Sequence, residues 1–150
     1  MAWTTAPPRS RAASLWPEAA SNAGIRVLAA TPHVRGDYEF DLRRIVPAVS
    51  NLNHRLITDG VPLDVIAGGE AAITSLLDLD DEALEAVRLG EGAWLLVESP
   101  YAPTGPVLEA VLLEAMKRGL RPLLAHPERS PCFQRDVERL ADIVRSGCLC

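Results

Sequence analysis

Four short apolar runs in this sequence lead into residues that can hold a metal or clasp an anion. Residues 25–31 (IRVLAAT) are followed by His33, and residues 63–68 (LDVIAG) by Glu70. Residues 93–99 (AWLLVES) carry Glu98 near their end, and residues 121–125 (RPLLA) run into His126, Pro127, Glu128 and Arg129. Imidazole and carboxylate are the ligand types of zinc, manganese and iron. A glutamate beside an apolar strand is costly to bury without a cation or a hydrogen-bonding partner. A metal supplies that partner, lowers the pKa of water and polarises a phosphoryl or carbonyl oxygen. A neighbouring guanidinium such as Arg129 can hold an oxyanion through two parallel hydrogen bonds. Each residue alone has an ordinary reading: a loop histidine, a solvated glutamate, a salt-bridging arginine. Their recurrence at four run ends favours a shared site, with the reaction left open. Two of the three histidines take part, and the third, His54, sits in a helical stretch and is expected at the surface.

These residues meet only if the elements carrying them are strands of one sheet with a common direction. The four runs lack alternation, as expected of strands buried on both faces. Between them lie stretches with helical spacing. Leu42, Ile45, Val46, Val49, Leu52 and Leu56 form one, kinked or restarted at Pro47 and stopped at Gly60. Asp80 or Asp81 caps a short helix through Leu89. Residues 106–119 and 134–147 form two more helices, each closed by glycine. The final Cys-Leu-Cys reads as the opening of a fifth strand. Strand and helix thus alternate, which predicts an α/β fold with parallel strands joined by right-handed crossovers. A doubly wound sheet and a segment of an α/β barrel both fit. In either one, the carboxyl ends of the strands gather on one face, where ligands bind. No G-x-G-x-x-G or G-x-x-x-x-G-K follows the first strand, which counts against nucleotide binding.

Composition narrows the function further. The chain of 150 residues is 48% hydrophobic, enough for a core, and carries a formal charge of −5, which argues against a nucleic-acid partner. No apolar run reaches the length of a membrane span. Three cysteines, Cys132, Cys148 and Cys150, give no disulfide framework and point to a reducing, cytoplasmic setting. Cys148 and Cys150 read as small strand residues rather than half a metal site. Residues 1–22, rich in Ala, Ser and Pro, read as an atypical or disordered leader, with a short helix opening at Pro17.

Residues 24–39, 51–74, 94–101 and 119–129 resemble, in that order, the bacterial PHP-type tyrosine-protein phosphatases, the manganese-dependent enzymes of capsule and exopolysaccharide operons. The ATPH and AHPER pieces are the most specific parts of the match. The resemblance implies that residues 23–150 are part of a PHP domain, a distorted (β/α) barrel with a multinuclear metal cluster at its strand ends. It implies His33, Glu70, Glu98 and His126 as metal ligands and Arg129 as the catalytic residue that contacts the substrate phosphate. Hydroxide would attack phosphorus in line while Arg129 and the metals stabilise the oxygens. The implied substrate is phosphotyrosine on an autokinase of polysaccharide synthesis.

The departures from that pattern set further expectations. The family opens with a D-x-H-x-H strand and closes with an S-D-x-H pair, and neither occurs in these residues. On that ground the chain reads as the middle of a phosphatase, and taken alone it is expected to be weakly stable with little turnover. The alternatives are a non-catalytic remnant or binding module, and another PHP phosphoesterase such as a histidinol-phosphatase-like enzyme.

Overall fold

The computed structural model describes residues 12–36 and 41–150. Residues 1–11 of the leader and residues 37–40 of the loop after His33 lie outside the described residues. Six parallel strands carry the framework: β1 (Val27–Ala30), β2 (His33–Val34), β3 (Asp64–Ala67), β4 (Glu70–Ala71), β5 (Trp94–Glu98) and β6 (Arg121–Ala125). Seven helices accompany them among the described residues: α1 (Ala12–Asn22), α2 (Ile45–Thr58), α3 (Ile73–Leu76), α4 (Asp81–Val87), α5 (Val107–Lys117), α6 (Pro131–Arg135) and α7 (Val137–Arg145).

Each of the first two predicted strands is followed by a second, two-residue strand that carries the ligand-type residue after it, β2 after β1 and β4 after β3. β1 pairs with β3 through Val27 and Asp64, and β2 pairs with β4 through His33 and Glu70, at one constant offset. They are therefore two stretches of one parallel pairing, interrupted where Pro32 brings no N–H to the ladder. The Glu70 N–H donates to the Pro32 carbonyl at 3.0 Å and resumes the pairing. Beyond β4 the order continues through β5 to β6, and Leu149 sits beside Leu123, exchanging hydrogen bonds with Pro122 and Leu124. Spatial order thus follows chain order with no reversal. A doubly wound sheet has a reversal at its switch point, whereas a barrel runs round in sequence.

The main core lies between β5 and the helices. Leu95 and Val97 pack there with Leu108, Val111, Leu112 and Ala115 of α5, Val87 of α4 and Ile143 of α7. Cys148 belongs to the same core, and burial pushes its thiol up to about 11, so it stays neutral and inert near pH 7. A smaller cluster joins Leu56 of α2 to Leu63 and Val65. Here Asn53 mimics a strand: its Nδ2 donates to the Val65 carbonyl at 2.7 Å and its Oδ1 accepts from the Val65 N–H at 2.9 Å.

Three expectations are corrected. β1 is not buried on both faces; Val27 is 56% exposed, because β1 is paired only to β3 among the described residues. The first helix does not open at Pro17 but runs from Ala12, with Pro17 inside it and buried. The last helix is two: Asp136 leaves helical geometry (φ −141°, ψ 84°) and its carboxylate caps α7 by accepting from the Arg139 N–H at 3.0 Å.

Two predictions arise from this packing. A Cβ on Gly69 would stand 3.0 Å from Val34 Cγ2 and from Val87 Cβ and Cγ1, all on stiff β-branched side chains. Gly69→Ala is therefore expected to cost about 1–3 kcal/mol in urea unfolding; a change within error of zero would refute this reading. The second concerns Arg139, whose Nε and Nη2 donate to the two carboxylate oxygens of Glu109 at 2.6 and 2.8 Å, joining α5 to α7. The Arg139 guanidinium holds the Glu109 carboxyl below its ordinary 4.5. A depressed carboxylate contributes stability that is full above its unfolded value and lost as pH falls through its folded one. Because the pair is partly solvated, Glu109→Gln should cost only about 0.5–1 kcal/mol at pH 7. That cost should shrink as pH falls below 4.5 and through the lower folded value, and a pH-independent difference in thermal unfolding would contradict the assignment.

Candidate metal centre

Strand geometry explains which side chains meet. Register partners on neighbouring strands project to the same face, and successive residues alternate faces. His33 is partnered with Glu70, and Glu70 with Leu96. Glu98 lies two residues beyond Leu96 and returns to that face. The alternate residues Val34, Ala71, Leu95 and Val97 are buried on the other face, in the main core. The period of two therefore sorts the sheet into a core face and a face bearing donors at its carboxyl end.

Ligand atoms of His33, Glu70 and Glu98 lie within 4.8 Å of one another. His33 Nδ1 stands 3.9 Å from Glu70 Oε2. The two carboxylate side chains are only 13% exposed, whereas the imidazole is 57% exposed. Two carboxylates at that separation repel by about 3 kcal/mol at an effective dielectric of 20, a cost that a cation between them reverses. The donors fit a divalent ion of intermediate hardness: one imidazole nitrogen and two carboxylates, with an open side toward solvent. Arg35 partly answers the charge, its Nη1 donating to Glu98 Oε1 at 3.3 Å. Arg35 was not anticipated, although the same period of two that faces His33 inward is the signal that could have found it.

His126 and Arg129 reach the same rim differently. Ala125 is the strand partner of Glu98, so His126 is the next residue beyond that pair. It is the one non-glycine residue with positive φ among the described residues (φ 48°, ψ 48°). Such geometry costs about 1–3 kcal/mol and is found where a site demands it. His126 is not one of the three donors whose ligand atoms lie within 4.8 Å of one another; its imidazole is exposed, with Nδ1 3.5 Å from Glu128 Oε1. Pro127–Arg129 then form a single 3-10 turn. Ser130 anchors that turn, its buried hydroxyl donating to the Pro100 carbonyl at 2.6 Å. The Arg129 guanidinium lies 5.8 Å above the ring of Tyr101, a second residue the sequence had not singled out. His54 is exposed on α2, as expected.

An open groove of about 660 Å³ adjoins the cluster, and Glu98 and Arg35 are among its lining residues. A larger groove, about 960 Å³, lies near Asp41, Asp80 and Glu91 and contains none of these donors. Among the described residues no helix is long and apolar enough to cross a membrane.

Comparison with known proteins places this geometry in context. The family model for capsular polysaccharide synthesis, CpsB/CapC, matches residues 11–150. Tyrosine-protein phosphatase YwqE of Bacillus subtilis is 30% identical over 130 residues, covering 86% of this chain and 51% of that protein. Tyrosine-protein phosphatase CpsB of Streptococcus agalactiae is 25% identical over 126 residues, covering 83% of this chain and 52% of that protein. A crystal structure from work on YwqE of Bacillus subtilis and CpsB of Streptococcus pneumoniae, there called unique metal-dependent tyrosine phosphatases, superposes with a TM-score of 0.77. It is 29% identical and covers 88% of this chain and 54% of that one. The chain spans about half the length of the relatives it matches.

Proposed function

Because this chain belongs to the CpsB/CapC family of capsular polysaccharide synthesis proteins, we propose that it forms part of a metal-dependent protein-tyrosine phosphatase. The observation that carries this reading is the convergence of His33, Glu70 and Glu98 from three neighbouring strands to within 4.8 Å. On this reading residues 23–150 supply middle strands of a PHP-type barrel, a view that the unreversed strand order supports. His33, Glu70 and Glu98 would hold a divalent ion, with His126 serving a second position on the same rim. Manganese suits such a nitrogen and carboxylate set. When bound, the metal supplies positive charge to the phosphoryl oxygens and makes water more acidic.

The chain's own residues do the remaining work. Arg129, steadied by the Ser130 anchor and the Tyr101 ring, would clasp two phosphoryl oxygens and hold phosphorus toward the strand ends. Arg35 orients the Glu98 carboxylate. The substrate on this reading is phosphotyrosine of an autokinase that serves polysaccharide synthesis, met in the cytoplasm. The three cysteines, all free of disulfides, suit that reducing compartment.

The test is manganese-dependent release of phosphate from a phosphotyrosine peptide by the intact protein that carries this chain. Arg129→Ala should lower kcat/KM by about a hundredfold while leaving metal content unchanged. Metal loss in that variant would contradict the role given to Arg129, and absence of hydrolysis in the wild type would contradict the function.

A further inference from the structure

We infer that the groove beside Glu98 reads the residue next to the phosphotyrosine and takes an apolar side chain there. The inference rests on the phosphatase reading and adds a substrate preference to it. The groove is formed by α3 and the residues after it, the loop after β5 and the first turns of α5. Its walls are mostly apolar: Ile73, Leu77, Pro100, Tyr101, Val107 and Val111. Leu77 and Val107 are more than half exposed, an unfavourable state for large apolar side chains that a ligand would relieve.

Continuity argues for the occupant. Glu98 belongs both to the donor cluster and to the groove lining. Tyr101, over which Arg129 lies, is another lining residue. A phosphate held between the cluster and Arg129 therefore leaves its peptide at the mouth of the groove. About 660 Å³ is more than one aromatic ring fills and lies within the usual range for ligand sites.

The experiment uses the metal-loaded protein and three substrates: a phosphotyrosine peptide with leucine neighbours, the same peptide with glycine neighbours, and p-nitrophenyl phosphate. The wild type should show a KM about tenfold lower for the leucine peptide than for the glycine peptide. Leu77→Asp and Val107→Asp should erase that difference while kcat and p-nitrophenyl phosphate hydrolysis stay unchanged. Val107 opens α5 and Leu77 is exposed, so an acid at either position leaves folding intact. The unphosphorylated leucine peptide should compete in the wild type and fail to compete in both variants. Equal KM values for the two peptides, with p-nitrophenyl phosphate hydrolysed, would overturn this inference and leave the phosphatase reading standing. Hydrolysis of none of the three would remove the phosphatase reading and this inference with it. Concentration-dependent dimerisation that Leu77→Asp abolishes, without any peptide preference, would assign the groove to a second copy instead.

Discussion

Glu98→Gln should reduce phosphotyrosine hydrolysis by the intact protein by roughly three orders of magnitude. The substitution keeps the shape of the side chain and removes one negative charge from the donor cluster. Glu98 sits at the end of β5 with its side chain 13% exposed, so little water is available to replace its role. A neutral amide is a poorer ligand for a divalent ion. It also leaves Glu70 and His33 to carry the site. The fold should hardly respond, because Glu98 projects from the face opposite the main core. A thermal midpoint within a few degrees of wild type, together with lost activity, would separate a site defect from unfolding. Retention of more than a tenth of the activity would exclude Glu98 from the centre.

The second large effect is on stability. Leu95→Ala should destabilise the protein by about 2–5 kcal/mol, read from the midpoint of urea unfolding. Leu95 is fully buried on β5, which is flanked by β4 on one side and β6 on the other. Its side chain belongs to the main core cluster with Leu108, Val111 and Leu112 of α5, all fully or almost fully buried, so the cavity has little room to collapse. With total stability of about 5–15 kcal/mol for an ordinary domain, such a loss consumes a large share of the margin. Ile57→Ala, at an exposed position of α2, is the control and should change stability by about 0.5 kcal/mol or less. A cost below about 1 kcal/mol for Leu95→Ala would mean that β5 is not central to the core.

The rim was legible in the sequence because strands and their ends are written in local pattern. An apolar run followed by a single polar residue of ligand type marks a strand end, and a common strand direction brings such ends together. His33, Glu70 and Glu98 follow from that logic and from the period of two. The turn at His126 does not, because a left-handed backbone at a non-glycine residue leaves no compositional trace. Pattern alone placed His126 on the same rim; its left-handed backbone is an added feature of that strand end, and its Nδ1 lies 3.5 Å from Glu128 Oε1. The break at Asp136 was hidden for a related reason: the helical spacing continues across it, and only the capping carboxylate shows where one helix ends and the next begins. The exposure of β1 was also beyond local pattern. An apolar run signals burial only when a neighbour covers it, and neighbours are a property of topology. Arg35 and Asn53 were missed because each acts across the chain, Arg35 on Glu98 and Asn53 on Val65. The Asn53 pairing leaves no spacing that a single sequence reveals, whereas Arg35 stands two residues beyond His33, at the period of two that places it on the same face.

His33, Glu70 and Glu98 are proposed to hold a divalent ion together, and calorimetric titration of manganese into the metal-free protein, beside its Glu98→Gln and Glu70→Gln variants, reads this binding. Wild type should bind manganese, and each variant should lose at least one bound ion or bind it a hundredfold or more weaker, a loss of about 2.7 kcal/mol or more in binding. Identical stoichiometry and affinity in wild type and both variants would contradict it.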